Sequence, residues 1–324
     1  MISQASKLDK SIENQSSAIE SIPDAARGPA IPPDKGYLVE EICDHLYWIG
    51  DGIWNTMFLT YNEGVIVVDA PASIGQNYRN AIQEVTDKPV TYVIYSHSHA
   101  DHTAAASMFS ETATYIAHEE TRAILARRQD PRRPVPTVTF SNTYTLQAGE
   151  QTLILDYKGP NHEPGNIFIY APRQKVLLLK DIIYPGWIPF KGLGGIVYDV
   201  PGYIEAHDHA LSYNFNIFIG GHVNRLGVRE DVVVSREFIL DLKAAALQAR
   251  QQVNFSEVSQ GVRSEDRWMH FEIYFNAIIE NCTNIMMPKW KSRLGGAEAF
   301  MHHNCWAMMR SLVLDFPPES HDQA

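Results

Sequence analysis

From Tyr37 onward the chain is built of short apolar runs broken by turn residues. Residues 37–42, 45–49, 56–61 and 65–69 read as strands, separated by Cys43-Asp44, Gly50-Asp51-Gly52 and Asn62-Glu63-Gly64. Asn-Glu-Gly between two alternating runs is a hairpin signal, because such residues accept the backbone torsions of a tight reversal. Ile74, Tyr78, Ile82 and Val85 then recur at helical spacing, and Pro89 closes the connection into a buried strand at 91–95. Strand and helix alternate again through 113–117 and 118–128. A second set of strands is expected over 137–180, turning at Ala148-Gly149-Glu150 and Ala171-Pro172-Arg173. A helix at 201–213 and a last apolar strand at 215–220 follow. This order, strands and helices and then strands and helices again, predicts an α/β fold with two sheets packed face to face and helices outside.

Both ends have a different texture. Residues 1–36 are rich in Ser, Gln, Asn, Pro and Ala, punctuated by Pro29, Pro32 and Pro33, and read as a flexible arm. After about Val228 the pattern is wholly helical, with apolar residues every three or four positions in 235–253, 264–285 and 297–314. The expected organisation is therefore an arm (1–36), a two-sheet domain (37–227) and a helical extension (228–324). The apolar, Met-rich face of that extension, including Met286, Trp290 and Met308, is expected to cap the site, to form a homodimer interface, or both.

Apolar residues at 45% and charged residues at 20% suit a chain that buries a core. No apolar run approaches the ~20 residues of a membrane helix, so no span is expected. With 27 Lys+Arg against 38 Asp+Glu the net charge is −11. Such a surface lacks the cationic footprint that phosphate recognition needs, which argues against nucleic acid as a partner. Cys43, Cys282 and Cys305 are too few for a disulfide framework, although a single Cys282–Cys305 bridge is left open. The N-terminus shows no basic stretch followed by an apolar one, so no secretory signal is expected and the cytoplasm is slightly favoured.

The candidate chemistry sits in Ser96-His97-Ser98-His99-Ala100-Asp101-His102, where a buried strand ends and a helix begins. Imidazole is the commonest transition-metal ligand, and a carboxylate adds a hard oxygen. Further donors follow in turns after strand-like segments. His162 lies in Gly159-Pro160-Asn161-His162-Glu163-Pro164-Gly165-Asn166, Asp181 follows the apolar run 176–179 after Lys180, and His222 ends Gly220-Gly221-His222. Glycine and proline permit the sharp backbone paths that present such side chains.

This set, HxHxDH followed by a later His, a strand-terminal Asp and Gly-Gly-His, resembles the metallo-β-lactamase superfamily over about residues 37–227. The resemblance implies a four-layer αβ/βα sandwich with two zinc ions, or other divalent metals, at one edge between the sheets. By that analogy His97, His99 and His162 would hold the first ion, Asp101, His102 and His222 the second, and Asp181 would bridge them. Zinc β-lactamases place Cys or Ser where this chain has Asp181, whereas glyoxalase II-like and lactonase-like members carry Asp. The resemblance thus implies a dinuclear zinc hydrolase that cleaves a carboxylic ester or lactone by attack of a metal-bridging hydroxide, with Asp101 taking the proton. A β-lactamase-like amide hydrolase and a mononuclear iron persulfide dioxygenase are the alternatives. The chain departs from the family pattern in Lys180, where many relatives have Gly, and in Asn161-His162-Glu163, which replaces Gly-His-Thr.

Tyr184 is similar in position to the lactone-contacting Tyr of acyl-homoserine lactonases. It either donates to a developing oxyanion or packs in an aromatic loop with Trp187 and Phe190. Residues 184–198, with Ile188, Lys191 and Leu193, read as an apolar substrate loop. Ile53 and Trp54 are expected to face it, with Met57 either beside them or in the core. A small-molecule substrate with an apolar portion follows. His207-Asp208-His209 is expected on a helix surface, since residues i and i+2 point about 200° apart. His302-His303 receives the same reading, and Arg127, Arg128, Arg132 and Arg133 read as solvated loop cations.

Overall fold

A computed structural model describes residues 22–315. Seven strands form the first sheet in chain order: β1 (Leu38–Cys43), β2 (Leu46–Gly50), β3 (Asn55–Tyr61), β4 (Gly64–Val68), β5 (Val90–Ile94), β6 (Thr114–His118) and β7 (Val138–Phe140). The first four are antiparallel, and β4 to β7 are parallel. Tyr61 pairs with Gly64, so the reversal expected over Asn62-Glu63-Gly64 narrows to Asn62-Glu63. The second sheet contains β8 (Thr143–Ala148), β9 (Gln151–Asp156), β10 (Phe168–Ala171), β11 (Val176–Leu178) and β12 (Ile217–Ile219), in the order β12-β11-β10-β9-β8.

One strand changes sheets relative to the sequence reading. Residues 138–140 fall in the range expected for the second sheet, yet they pair parallel to β6 with Ile116 opposite Val138. The proline-rich approach is steered there by the Tyr95 hydroxyl, which donates to the Pro134 carbonyl at 3.1 Å, and by Arg122, which donates to that of Pro136 at 3.2 Å.

The layers follow from which side of each strand is apolar. Between the sheets pack Trp48, Met57, Ile66 and Ile94 against Leu153, Ile169 and Leu178. The alternate residues Val65, Val67 and Val93 face outward onto Tyr78 and Ile82 of α1 (Gln76–Val85). A strand covered on both faces reads as a continuous apolar run, which is why 65–68 shows no alternation. On the far side, Phe168 and Leu177 of the second sheet pack with Tyr203 of α4 (Val200–Ser212). In chain order two further helices fall between α1 and α4: α2 (Ala100–Thr103) and α3 (Glu119–Arg128). The arrangement is the predicted αβ/βα sandwich.

The helical extension thickens the layer outside the second sheet. Its elements are α5 (Arg229–Gln252), α6 (Phe255–Val258), α7 (Arg267–Trp290) and α8 (Ala297–Leu314). Phe238, Leu242, Ile278, Trp290 and Met308 share one apolar cluster with Tyr203 and Phe218. All three cysteines are free thiols, so the bridge left open by the sequence is not formed, and Cys282 and Cys305 lie buried in the helical layer. No helix among the described residues is long and apolar enough to cross a membrane.

His207 corrects the surface-helix expectation. It is fully buried between α4 and α5, with Nδ1 3.0 Å from the Tyr203 carbonyl and Nε2 3.1 Å from Ser235 Oγ. Burial pushes it down to about 4, so it is neutral at pH 7 and joins the helices as a hydrogen-bonding group. Of the arm expected over 1–36, residues 1–21 lie outside the described residues. In the remainder Ala26 is buried, and its carbonyl accepts the Trp187 indole N–H at 2.9 Å. Asn224 donates to the Pro29 carbonyl.

Candidate metal centre

The histidine-rich loop after β5 is held by buried charged side chains. Asp69 accepts from the Ser96 N–H at 2.8 Å and from the Ser96 hydroxyl at 2.7 Å. Glu163 accepts from the Ser98 N–H at 2.9 Å and from its hydroxyl at 2.7 Å. Arg133 donates to the Ser98 carbonyl at 2.8 Å and is buried, not the solvated loop cation expected. These are charge-assisted bonds in a dry setting, where an ionised partner roughly doubles the strength. They fix the backbone on either side of His97.

The opposite wall is tied in by main-chain pairing. Asn55 N–H donates to the Gly221 carbonyl at 2.9 Å and Val223 N–H to that of Ile53 at 2.8 Å, so His222 sits across from Trp54. Lys180, fully buried, donates to the Asn55 carbonyl at 2.5 Å and lies 3.9 Å from Asp69 Oδ2. Burial lowers its pKa, against the pull of Asp69 and Asp181. Gly221, at φ +96°, lies flat against it, since a Cβ there would fall 2.4 Å from Lys180 Cδ. Asp181 adopts φ +63° without being glycine, a costly backbone state of the kind that persists where surrounding structure enforces it.

These elements bring all seven predicted side chains together as two adjoining groups, His97, His99, His162 and Asp181, and Asp101, His102 and His222. Within each group the candidate donor atoms lie within 4.8 Å of one another. Asp181 Oδ2 is 3.3 Å from Nε2 of both His97 and His162 and 3.1 Å from that of His102, while its Oδ1 is 3.0 Å from His222 Nε2. The carboxylate therefore touches both groups. Asp101 Oδ2 is 3.4 Å from His102 Nε2 and 3.7 Å from His222 Nε2.

The donor set suits a divalent cation. His162 Nε2 faces His99 Nδ1 at 3.0 Å, and His102 Nε2 faces His222 Nε2 at 3.1 Å. Two imidazole nitrogens pointed at each other need a shared proton or a shared cation between them. His97 Nε2 is buried with no hydrogen-bond partner, while its Nδ1 is occupied at 2.9 Å from Ser96 Oγ. Mixed nitrogen and carboxylate donors match the preference of zinc and similar ions. Burial pushes His162 down to about 3 and, with the neighbouring His97, pushes His99 down to about 4. Burial lowers His102 as well. In His97 burial acts downward, but Asp181 prevails and brings it up to about 9. Burial would raise Asp181, yet His102 and His222 hold it well below the carboxylate range.

Around this centre stand Trp54, Tyr184 and Gly194. The Trp54 indole donates to Asp101 Oδ2 at 3.2 Å, and its ring lies 5.7 Å from that of His222. Tyr184 also stacks on His222, centroids 5.9 Å apart and planes 16° apart. A Cβ on Gly194 would fall 2.5 Å from the Asp181 carbonyl, 3.1 Å from His162 Nδ1 and 3.3 Å from the Tyr184 hydroxyl. Met57 belongs to the core between the sheets, whereas Ile53 is 59% exposed. Neither His209 nor His302 nor His303 joins a group of three or more metal-capable side chains among the described residues. Sequence reasoning missed Asp69, Arg133 and Glu163 as the supports of the loop. The signal for Glu163 was present in its departure from the family's Gly-His-Thr.

Comparison with known proteins agrees with this geometry. The chain is 30% identical over 236 residues to the alpha subunit of 2,4-dinitroanisole O-demethylase from Nocardioides sp. (strain JS1661), covering 67% of this chain and 70% of that subunit. It is 28% identical over 135 residues to the metallo-beta-lactamase type 2 of Elizabethkingia meningoseptica, covering 41% of this chain and 53% of that protein. The solved structure of a metallo-beta-lactamase from Pontibacter korlensis superposes with a TM-score of 0.54 at 18% identity, over 63% of this chain and 99% of that one, a likeness of fold. A model of the Metallo-beta-lactamase superfamily matches residues 49–246, and with the sandwich and the histidine-aspartate centre at its edge, the chain belongs to that superfamily.

Proposed function

We propose that this protein is a metal-dependent hydrolase of small carboxylic esters or lactones. His97, His99 and His162 would hold one ion, Asp101, His102 and His222 a second, and Asp181 both. The observation that carries this reading is the Asp181 carboxylate, within 3.3 Å of imidazole nitrogens in both groups. Divalent ions held there, zinc above all, would supply Lewis acidity for the scissile carbonyl and for activating water near neutral pH.

The chain's own groups do the rest. Asp101, half-exposed and held below the ordinary carboxylate range by His102 against its burial, keeps an acceptor oxygen ready for a proton. Its orientation is set by the Trp54 indole. Burial keeps Tyr184 far above the ordinary phenol range, so it stays an O–H donor at every working pH. With no hydrogen-bond partner among the described residues, that hydroxyl is free to meet a substrate oxygen. Ile53, Phe190 and Ile196 are exposed at the rim and would take the apolar part of the substrate. On this reading residues 37–227 are catalytic and 228–324 cap them.

A second reading rests on the O-demethylase relative: cleavage of an electron-poor aryl methyl ether at the same centre. One experiment separates the readings. Metal content per chain is measured alongside turnover of a lactone, an aryl ester, nitrocefin and 2,4-dinitroanisole. About two zinc per chain with lactone or ester turnover is expected. Turnover of the ether alone selects the second reading, nitrocefin alone makes the protein an amide hydrolase, and one iron with oxygen consumption on a persulfide overturns hydrolysis.

A further inference from the structure

The helical extension reaches the centre without offering it a ligand. Between Asp181 and α4 the chain runs through Gly192, Leu193, Gly194, Gly195 and Ile196 at φ of 73°, 58°, 89°, 89° and 79°. Five consecutive residues in the left-handed region make a turn that L-residues resist, at roughly 1–2 kcal/mol for each non-glycine. Its middle residue, Gly194, lies against the Asp181 carbonyl, His162 Nδ1 and the Tyr184 hydroxyl. Something must hold so unfavourable a turn in place.

The holder is on α8. Asn304 is fully buried, and its amide spans the loop, with Oδ1 accepting the Leu193 N–H at 2.9 Å and Nδ2 donating to the Pro189 carbonyl at 2.9 Å. The same helix sets Phe300 edge-on against Phe190, centroids 5.1 Å apart. Just before it, Gly295 donates to the Gly186 carbonyl at 2.9 Å and accepts from Ile188 N–H at 3.0 Å. The segment 186–193 is thus zipped to the extension at both ends.

We infer that Asn304 is a positioning residue for the metal centre, pinning the left-handed turn whose Gly194 packs on His162, Asp181 and Tyr184. It shapes the substrate side of the centre and contributes no donor of its own to the ions. The inference rests on the hydrolase reading for its kinetic part only.

The test uses the full-length, metal-loaded protein as Asn304→Leu, which removes both hydrogen bonds while keeping the number and branching of side-chain heavy atoms, and Asn304→Asp, which keeps the acceptor for Leu193 N–H. Amide exchange is followed over 189–197 and in β11, and kcat and KM are measured on whichever substrate of the panel turns over. Asn304→Leu is expected to speed exchange over 189–197 about 10-fold with β11 unchanged. KM should rise about 10-fold while kcat stays within about 3-fold and metal content is retained. Asn304→Asp should leave the Leu193 amide within about 3-fold of the parent. Unchanged exchange over 189–197 in Asn304→Leu overturns the inference, as does acceleration shared equally by β11. Faster loop exchange with kcat and KM both unaltered overturns it too. A parent that hydrolyses nothing in the panel defeats the hydrolase reading instead, and the exchange measurement still decides whether Asn304 pins the turn.

Discussion

Two loops meet at the centre and are held by opposite means. The stretch Ser96–Ser98 is clamped by three buried charged side chains of the sandwich itself, Asp69, Glu163 and Arg133. Residues 192–196 carry no such charged clamp, and beyond their own backbone bonds the strained left-handed turn is met by a neutral side-chain amide from α8. The difference separates two jobs. Metal donors tolerate little displacement, so their supports are charged and dry, and the two carboxylates are each doubly bonded. The substrate side is built on an extension that can vary while the donors stay put.

Removing a clamp is the most damaging way to break that contrast. Asp69→Ala strands the Ser96 donors and takes the nearest carboxylate from buried Lys180, 3.9 Å away. Breaking such an arrangement costs about 3–5 kcal/mol, seen in chemical denaturation, and metal should be lost in parallel. A stability within about 1 kcal/mol of the parent would show that Asp69 is not the clamp. Glu163→Gln is milder, because an amide still accepts one bond from Ser98 while losing the charge. Metal affinity should fall about 10–100-fold, read by competition with a chelator, with the fold intact.

On the other loop, Gly194→Ala should leave metal content unchanged and still reduce kcat/KM by about 10–100-fold. Its Cβ would enter the space of the Asp181 carbonyl at φ +89°, so the turn must move off the centre. Loss of metal with this variant would erase the distinction between the loops.

The clustered side chains were readable because imidazoles are rare and their spacing carries the family resemblance, so His97, His99, Asp101, His102, His162, Asp181 and His222, which the fold brings together, could all be named from the sequence. The inner strands were readable because burial on both faces leaves long apolar runs. What could not be read depends on distant pairs. Glu163 meets Ser98 across 65 residues, and Asn304 meets Leu193 across 111. Neither acid nor amide carries a periodic signal that names its partner. Strand β7 failed for the same reason, since three residues have no pattern to declare which sheet they join. His207 failed because helix periodicity cannot tell a solvated face from one covered by a later helix.

The smallest expected effect sharpens the contrast from the stability side. Ile196 is β-branched, 70% exposed and held at φ +79°, so its side chain gains little from burial and strains the backbone. Ile196→Gly removes a strain of roughly 1–2 kcal/mol and adds about 0.5–1 kcal/mol of unfolded-chain entropy, leaving the protein slightly more stable. In a chain this long the gain amounts to a rise of about 2 °C in Tm. Metal content should not change, while KM for an apolar substrate should rise as the rim loses its side chain. A fall in Tm would mean that the turn is relaxed, and that neither Asn304 nor α8 is needed to hold it.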